Sequence, residues 1–252
     1  MTSIDPGRLR RLRRYNLLMG LLHLGQGVAV LALATDFTLP VTAAFLEGPP
    51  GTDAGPPEVL FDLSIAWGVA AFLFVSATAH LVLASVARAW YGRNLARQRN
   101  PARWLEYSVS SSVMIVLIAM LTGIADVAAL VALFGVNASM ILFGWLQERY
   151  EEPGRANWLP FVFGSIAGIV PWIAIGIYLL SPGSEASPPG FVYAIFVSLF
   201  VFFNVFAINM VLQYRRTGPW RDYLFGESAY VALSLVAKSA LAWQVFGGTL
   251  AT

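Results

Sequence analysis

The sequence predicts an all-α membrane protein, a bundle of seven transmembrane helices, on three observations. Seven stretches are long and apolar enough to cross a bilayer, the arginines sort to every second connection, and the only lysine lies inside the last stretch. Of the 252 residues, 58% are hydrophobic and 12% charged, and mean hydropathy is +0.67. A soluble domain of this size carries about twice that share of charge. No cysteine is present, so neither a disulfide framework nor a thiolate metal site is available. Two histidines, His23 and His80, lie outside any HExxH spacing and leave little for zinc. No metal, no nucleic acid and no enzymatic activity is expected.

A spanning helix needs about 20 mostly apolar residues to cross roughly 30 Å of hydrocarbon. The stretches that qualify are Tyr15–Ala34, Leu63–Arg88, Pro101–Gly123, Asp126–Arg149, Trp158–Leu180, Gly190–Tyr214 and Arg221–Gly247. The first follows five arginines and lacks a small-residue cleavage site, so it is expected to stay in place. Asn100-Pro101 is a good helix start, because proline at the first helical position forfeits no hydrogen bond. Ser181-Pro182-Gly183 and Thr217-Gly218-Pro219 break the chain between spans. The connection from about Asp36 to Asp62 is long, and Phe37, Leu39, Val41 and Phe45 alternate near its start, which predicts a short hairpin or ordered cap. No tandem repeat appears, and residues 1–252 read as a single domain.

All fifteen arginines fall in the N-terminal tail or at the connections after spans two, four and six. The other connections carry only acids, among them Asp36, Glu47, Asp53, Glu58, Asp62, Asp126 and Glu185. Retained cations mark the cytoplasmic side, which puts the N-terminus inside, the C-terminus outside and the protein in the cell membrane. Solvated loop charge without a topological role would not sort so completely.

An ionisable group at mid-membrane costs at least about 2.5 kcal/mol, so each one inside a span needs a reason. Lys238 lies some 17 residues from Arg221 and 14 from the C-terminus, too deep to reach either surface easily. A desolvated amine is a nucleophile that forms Schiff bases with aldehydes. Glu106, on the third span, is the clearest acid within a membrane segment. Ser110 follows it by one turn, and Ser234 precedes Lys238 by one turn. Counted from Pro101, Glu106 lies only about 8 Å along its helix, shallower than Lys238, and Glu227 is a rival carboxylate. A Lys–Glu pair that merely locks two helices, or a transporter with a charged relay, fits these residues too.

At this point the chain resembles the microbial-type rhodopsins, which carry a lysine midway along a seventh helix. Its inside N-terminus is similar to that of the heliorhodopsins, and so are Arg103-Trp104-Leu105-Glu106-Tyr107-Ser108, His23, His80 and Ser234-Leu235-Val236-Ala237-Lys238. The resemblance covers nearly the whole chain. It implies that Lys238 carries retinal, all-trans in the dark, as a protonated Schiff base, and that Glu106 is the counterion. Ser76, Ser110 and Ser234 are expected to fix that geometry. Tyr107, Gln26, Met140, Trp172, Phe203 and Trp243 are expected as pocket walls, although an aromatic-rich sixth span is also what any buried or lipid-facing helix looks like.

Pumping relatives place a second carboxylate one turn before the retinal lysine, where this chain has Ser234. Outward proton pumps place a donor carboxylate three turns beyond the counterion, where it has Leu117. His23 and His80 are either hydrogen-bonded packing residues or a local proton-accepting cluster. The resemblance therefore implies a photoreceptor that signals, as a homodimer among membrane lipids. Its cytoplasmic partner would read the basic inner face, including the Arg93–Arg103 loop. A light-driven pump or channel, or a retinal-free transporter using Lys238 to bind an anion, remains the alternative. Asn137, Asn204 and Asn209 are either helix–helix glue or the lining of a hydrated cavity.

Overall fold

A computed structural model describes residues 4–52, 55–180, 185 and 188–251. Asp53 and the Ser181-Pro182-Gly183 breaker lie outside the described residues. Among the described residues, seven helices are long and apolar enough to cross a membrane: α1 (Pro6–Leu33), α2 (Ile65–Ala84), α4 (Pro101–Leu121), α5 (Val127–Tyr150), α6 (Leu159–Leu180), α7 (Gly190–Tyr214) and α8 (Tyr223–Val245). A short helix, α3 (Arg88–Leu95), lies between the second and third of them.

Capping chemistry sets where most of these helices begin. Asp5, Ser64, Asn100, Asp126 and Asp222 each accept a hydrogen bond from a backbone N–H of the following turn. The Asp5-Pro6 start explains why α1 begins nine residues earlier than its apolar stretch. Arg8 to Arg14 thus ride on a helical extension of the first span. The second span is shorter than predicted, ending at Ala84. The chain turns there and enters α3, whose Tyr91 and Leu95 pack with Leu12, Leu83 and Leu224. At the other end α8 widens into a π turn over Phe246–Leu250. A side chain at Gly248 would place its Cβ 2.4 Å from Phe191, so only glycine lets α7 approach this closely.

The long connection forms the hairpin that its alternation predicts. Strand β1 (Thr38–Ala43) pairs antiparallel with β2 (Glu58–Ser64), with a register irregularity between Val41 and Thr42. Val41 is buried with Leu39 and Phe37 packed alongside, while Phe45 lies beyond the strand and is exposed. Thr42 N–H donates to the Ala125 carbonyl at 2.9 Å, which ties the hairpin to the α4–α5 turn.

Around the bundle, α1 packs on α2, α2 on α4, α4 on α5, α5 on α6, α7 on α8, and α8 returns to α1. The gap between α6 and α7 is bridged by Trp172, whose ring meets Phe196, Phe200 and Phe203 edge-on at 5.4–5.6 Å. Outward faces are apolar, with Ile166, Ile173 and Ile177 on α6 and Val197 and Val201 on α7 exposed, as a lipid-facing surface requires. α4 is the most enclosed of the seven. Removing the Asp126 cap by Asp126→Ala should cost about 1 kcal/mol and lower the Tm of the purified protein by a few degrees. An unchanged melting curve would mean that α5 does not need this cap.

Candidate functional site

Lys238 and Glu106 meet inside the bundle. Lys238 Nζ donates to Glu106 Oε1 at 3.0 Å and to Ser234 Oγ at 2.8 Å, with Lys238 4% and Glu106 9% exposed. Ser76 on α2 donates to the same carboxylate oxygen at 2.5 Å. Ser110 is fully buried one turn beyond Glu106. The apparent mismatch in depth closes in two ways. The first turn of α4 is enclosed by protein, since Asn100 and Arg103 there are buried. Lysine side chains on a helix also lean toward its N-terminus, and the Ser234 contact shows that Lys238 does so. Glu227, the rival carboxylate, is held elsewhere: Arg103 pairs with it directly.

The two histidines lie together beside this pair. His23 and His80 stack with centroids 5.7 Å apart and ring planes 9° apart. His80 Nδ1 bonds Asn16 Oδ1 at 2.8 Å, whereas both nitrogens of the fully buried His23 lack a protein partner. Packing alone does not account for a fully buried ring with two unmet polar atoms.

A cavity of about 200 Å³ opens from Lys238 between α4, α5, α6, α7 and α8. Tyr107, Ser110, Met140, Trp172, Phe203, Ser234 and Lys238 all line it, together with Phe200, Phe206 and Asn204. Lys238 Nζ also sits 4.9 Å from the Tyr107 ring centre. Gln26 and Trp243 do not line it. Trp243 Nε1 donates to Gln26 Oε1 at 3.0 Å in a partly exposed seam between α1 and α8, on the far side of the lysine helix. Two glycines missed at the level of sequence, Gly164 and Gly168 on α6, complete the wall; their spacing of one turn is the signal that could have found them. Asn137 is glue, donating to Ser111 and Ser112 at 2.8 and 3.0 Å. Asn209 likewise joins α7 to Gly226 and Trp220.

A family model described as Heliorhodopsin matches residues 12–250. The chain belongs to the heliorhodopsin family. No curated protein matches it as a relative. Membership in this rhodopsin family implies a retinal chromophore, and the heliorhodopsin cavity suits one by the chemistry of its walls. It offers a single amine, a long run of aromatic and aliphatic faces, and few polar atoms.

Arg103 departs from the reading of it as part of a basic loop open to a partner. It is buried, paired with Glu148 Oε1 at 2.7 Å and with Glu227, and sandwiched by the rings of Trp104 and Tyr230 at 4.5 and 4.0 Å. Glu148, two residues from the end of α5, was not singled out, because an acid at a helix end reads as solvated. Outside the spans, Tyr91 of α3 faces this cluster, and burial pushes its phenol up to about 12, so it stays neutral. In the cavity wall, a Cβ at Gly168 would lie 2.4 Å from Met140 Sδ. Gly168→Ala should therefore push the thioether into the cavity and slow pigment formation on adding retinal. Gly168→Ala with Met140→Ala should restore the rate, and equal rates in all three would exclude this wall.

Proposed function

We propose that this chain is a light-sensing retinal protein, with retinal carried by Lys238 and Glu106 as the counterion, and that it signals rather than transports ions. The buried 3.0 Å contact between Nζ and Glu106 at the wall of an apolar cavity is the observation that supports it most. Retinal, all-trans in the dark, supplies light absorption and a change of shape on isomerisation. Lys238 Nζ, the amine on the cavity wall, is the group that would hold its aldehyde end. Glu106 keeps a negative charge opposite that nitrogen, which a buried cation needs in order to retain its proton. Ser76 fixes the carboxylate by donating to Oε1, and Ser234 Oγ accepts from Nζ. Trp172, Phe203 and Met140 confine the polyene.

His23, with two unmet nitrogens, receives the proton that leaves the Lys238 nitrogen, with His80 beside it. Pump-type carboxylates are absent from the positions of Ser234 and Leu117. The arginine-rich end faces the cytoplasm of the cell membrane, with the N-terminus inside. A homodimer presents there a basic surface to a signalling protein, from which buried Arg103 is excluded.

Adding all-trans retinal to the expressed protein should give a coloured membrane, and Lys238→Ala should give none. A pigment of wild-type colour in that variant would sink the reading. Glu106→Gln should move the absorption maximum markedly, and an unmoved band would place the counterion elsewhere. Illuminated liposomes should show no sustained ion movement; steady light-driven acidification or alkalinisation would establish a pump instead.

A further inference from the structure

Near the arginine-rich end lies a second buried charge cluster that the Lys238 site does not use. Its members come from three helices: Arg103 on α4, Glu148 on α5 and Glu227 on α8. All three are more than nine-tenths buried, with Glu227 fully so. Among the described residues, Arg103 is the only cation within ion-pair distance of either carboxylate. The other groups facing the cluster are neutral: Asn100 and Trp104 from α4, Tyr223 and Tyr230 from α8, Tyr91 from α3 and Tyr214 from α7. At the rim, Arg8 and Asp222 cancel each other, and Arg99 gives its guanidinium to the Arg149 carbonyl.

One guanidinium against two carboxylates leaves a surplus negative charge in a site closed to water. Two aromatic faces already lie against the same guanidinium, which adds to the negative potential around it. A buried charge left without a partner is among the costliest features a fold can hold, and carboxylates sharing one site resolve it by binding a proton between them.

The hydrogen bonds say which carboxylate takes it. Glu148 accepts four: Oε1 from Arg103 Nη2 and Tyr223 O–H, and Oε2 from Asn100 N–H and Trp104 Nε1–H, at 2.7–3.1 Å. That fills the acceptor positions of an ionised carboxylate. Glu227 accepts only two, from Arg103 Nη1 and from Asn100 Nδ2, and each of its oxygens keeps a lone-pair position without a protein donor among the described residues. Asn100 is held in that orientation because its Oδ1 caps α4 by accepting from Arg103 N–H at 3.2 Å.

We propose that the Arg103–Glu148–Glu227 cluster is a proton-binding site, separate from the histidine pair, that holds one proton on Glu227 in the resting protein. Its loss turns a neutral junction of α4, α5 and α8 into an anionic one, so protonation acts where three helix ends meet. This inference does not depend on the signalling reading.

Infrared absorption of the retinal-reconstituted protein in nanodiscs, dark and near neutral pH, tests it. One carboxylic acid C=O band per chain should appear, distinct from the carboxylate bands and shifted by deuterium exchange. Glu227→Gln should abolish it. So should Glu148→Gln, because one carboxylate against Arg103 is then neutral without the proton. Glu106→Gln should keep the band. Absence of the band from the wild type, or its survival in either cluster variant, overturns the proposal, and the wild-type spectrum decides even if a variant fails to fold.

Discussion

Lys238 and Glu106 are 132 residues apart in the chain, and each is costly in an apolar bundle without the other. Removing either would leave a desolvated charge, so their contact constrains where two helices can sit. The constraint spreads outward from there. α8 must cross α4 close enough for a 3.0 Å contact, and α2 must bring Ser76 to the same oxygen. The apolar cavity opens from this same lysine.

A second link between α4 and α8, with reversed polarity, fixes their register. α4 offers Glu106 to Lys238 and Arg103 to Glu227, and both helices run from the arginine-rich end. Along α4 the two groups are about 4.5 Å apart, and along α8 about 16.5 Å apart, at 1.5 Å per residue. The difference of about 12 Å is closed by two long cationic side chains, since Arg103 and Lys238 both lean toward their helix N-termini. A one-turn slip of either helix would break both links together, which makes the junction stiff against sliding while leaving it sensitive to any change in charge.

Much of this was legible in the sequence because it rests on local or one-dimensional signals. Helix-length apolar runs gave the seven spans, Asn100-Pro101 gave the start of α4, and alternation at Leu39 and Val41 gave the hairpin. Lys238 was conspicuous because nothing near it in sequence relieves its burial. What stayed hidden depends on tertiary placement. Arg103 sits in the same sequence neighbourhood as the exposed Arg93 and Arg97, and only its place in the enclosed first turn of α4 buries it. Glu148 reads as a solvated helix end for the same reason. Gln26 and Trp243 failed as cavity walls because they occupy a face of α1 and α8 turned away from it. Sequence spacing gives a residue's face relative to its own helix but not the rotation of that helix in the bundle.

The hydrogen bonds around the histidines bear on whether a proton leaving Lys238 could cross the protein. Beyond His80 the line runs to Asn16, whose Nδ2 donates to the Leu12 carbonyl at 2.9 Å. An amide and a backbone carbonyl neither take up nor release protons at ordinary pH, and the Tyr91 phenol on the other side of Asn16 is held neutral by burial. At the other end, both nitrogens of His23 are without a hydrogen-bond partner among the described residues. Sustained transport needs a chain of titrating groups reaching both surfaces. The stacked pair places two imidazole rings, groups that titrate near neutral pH when free, next to the Lys238–Glu106 contact.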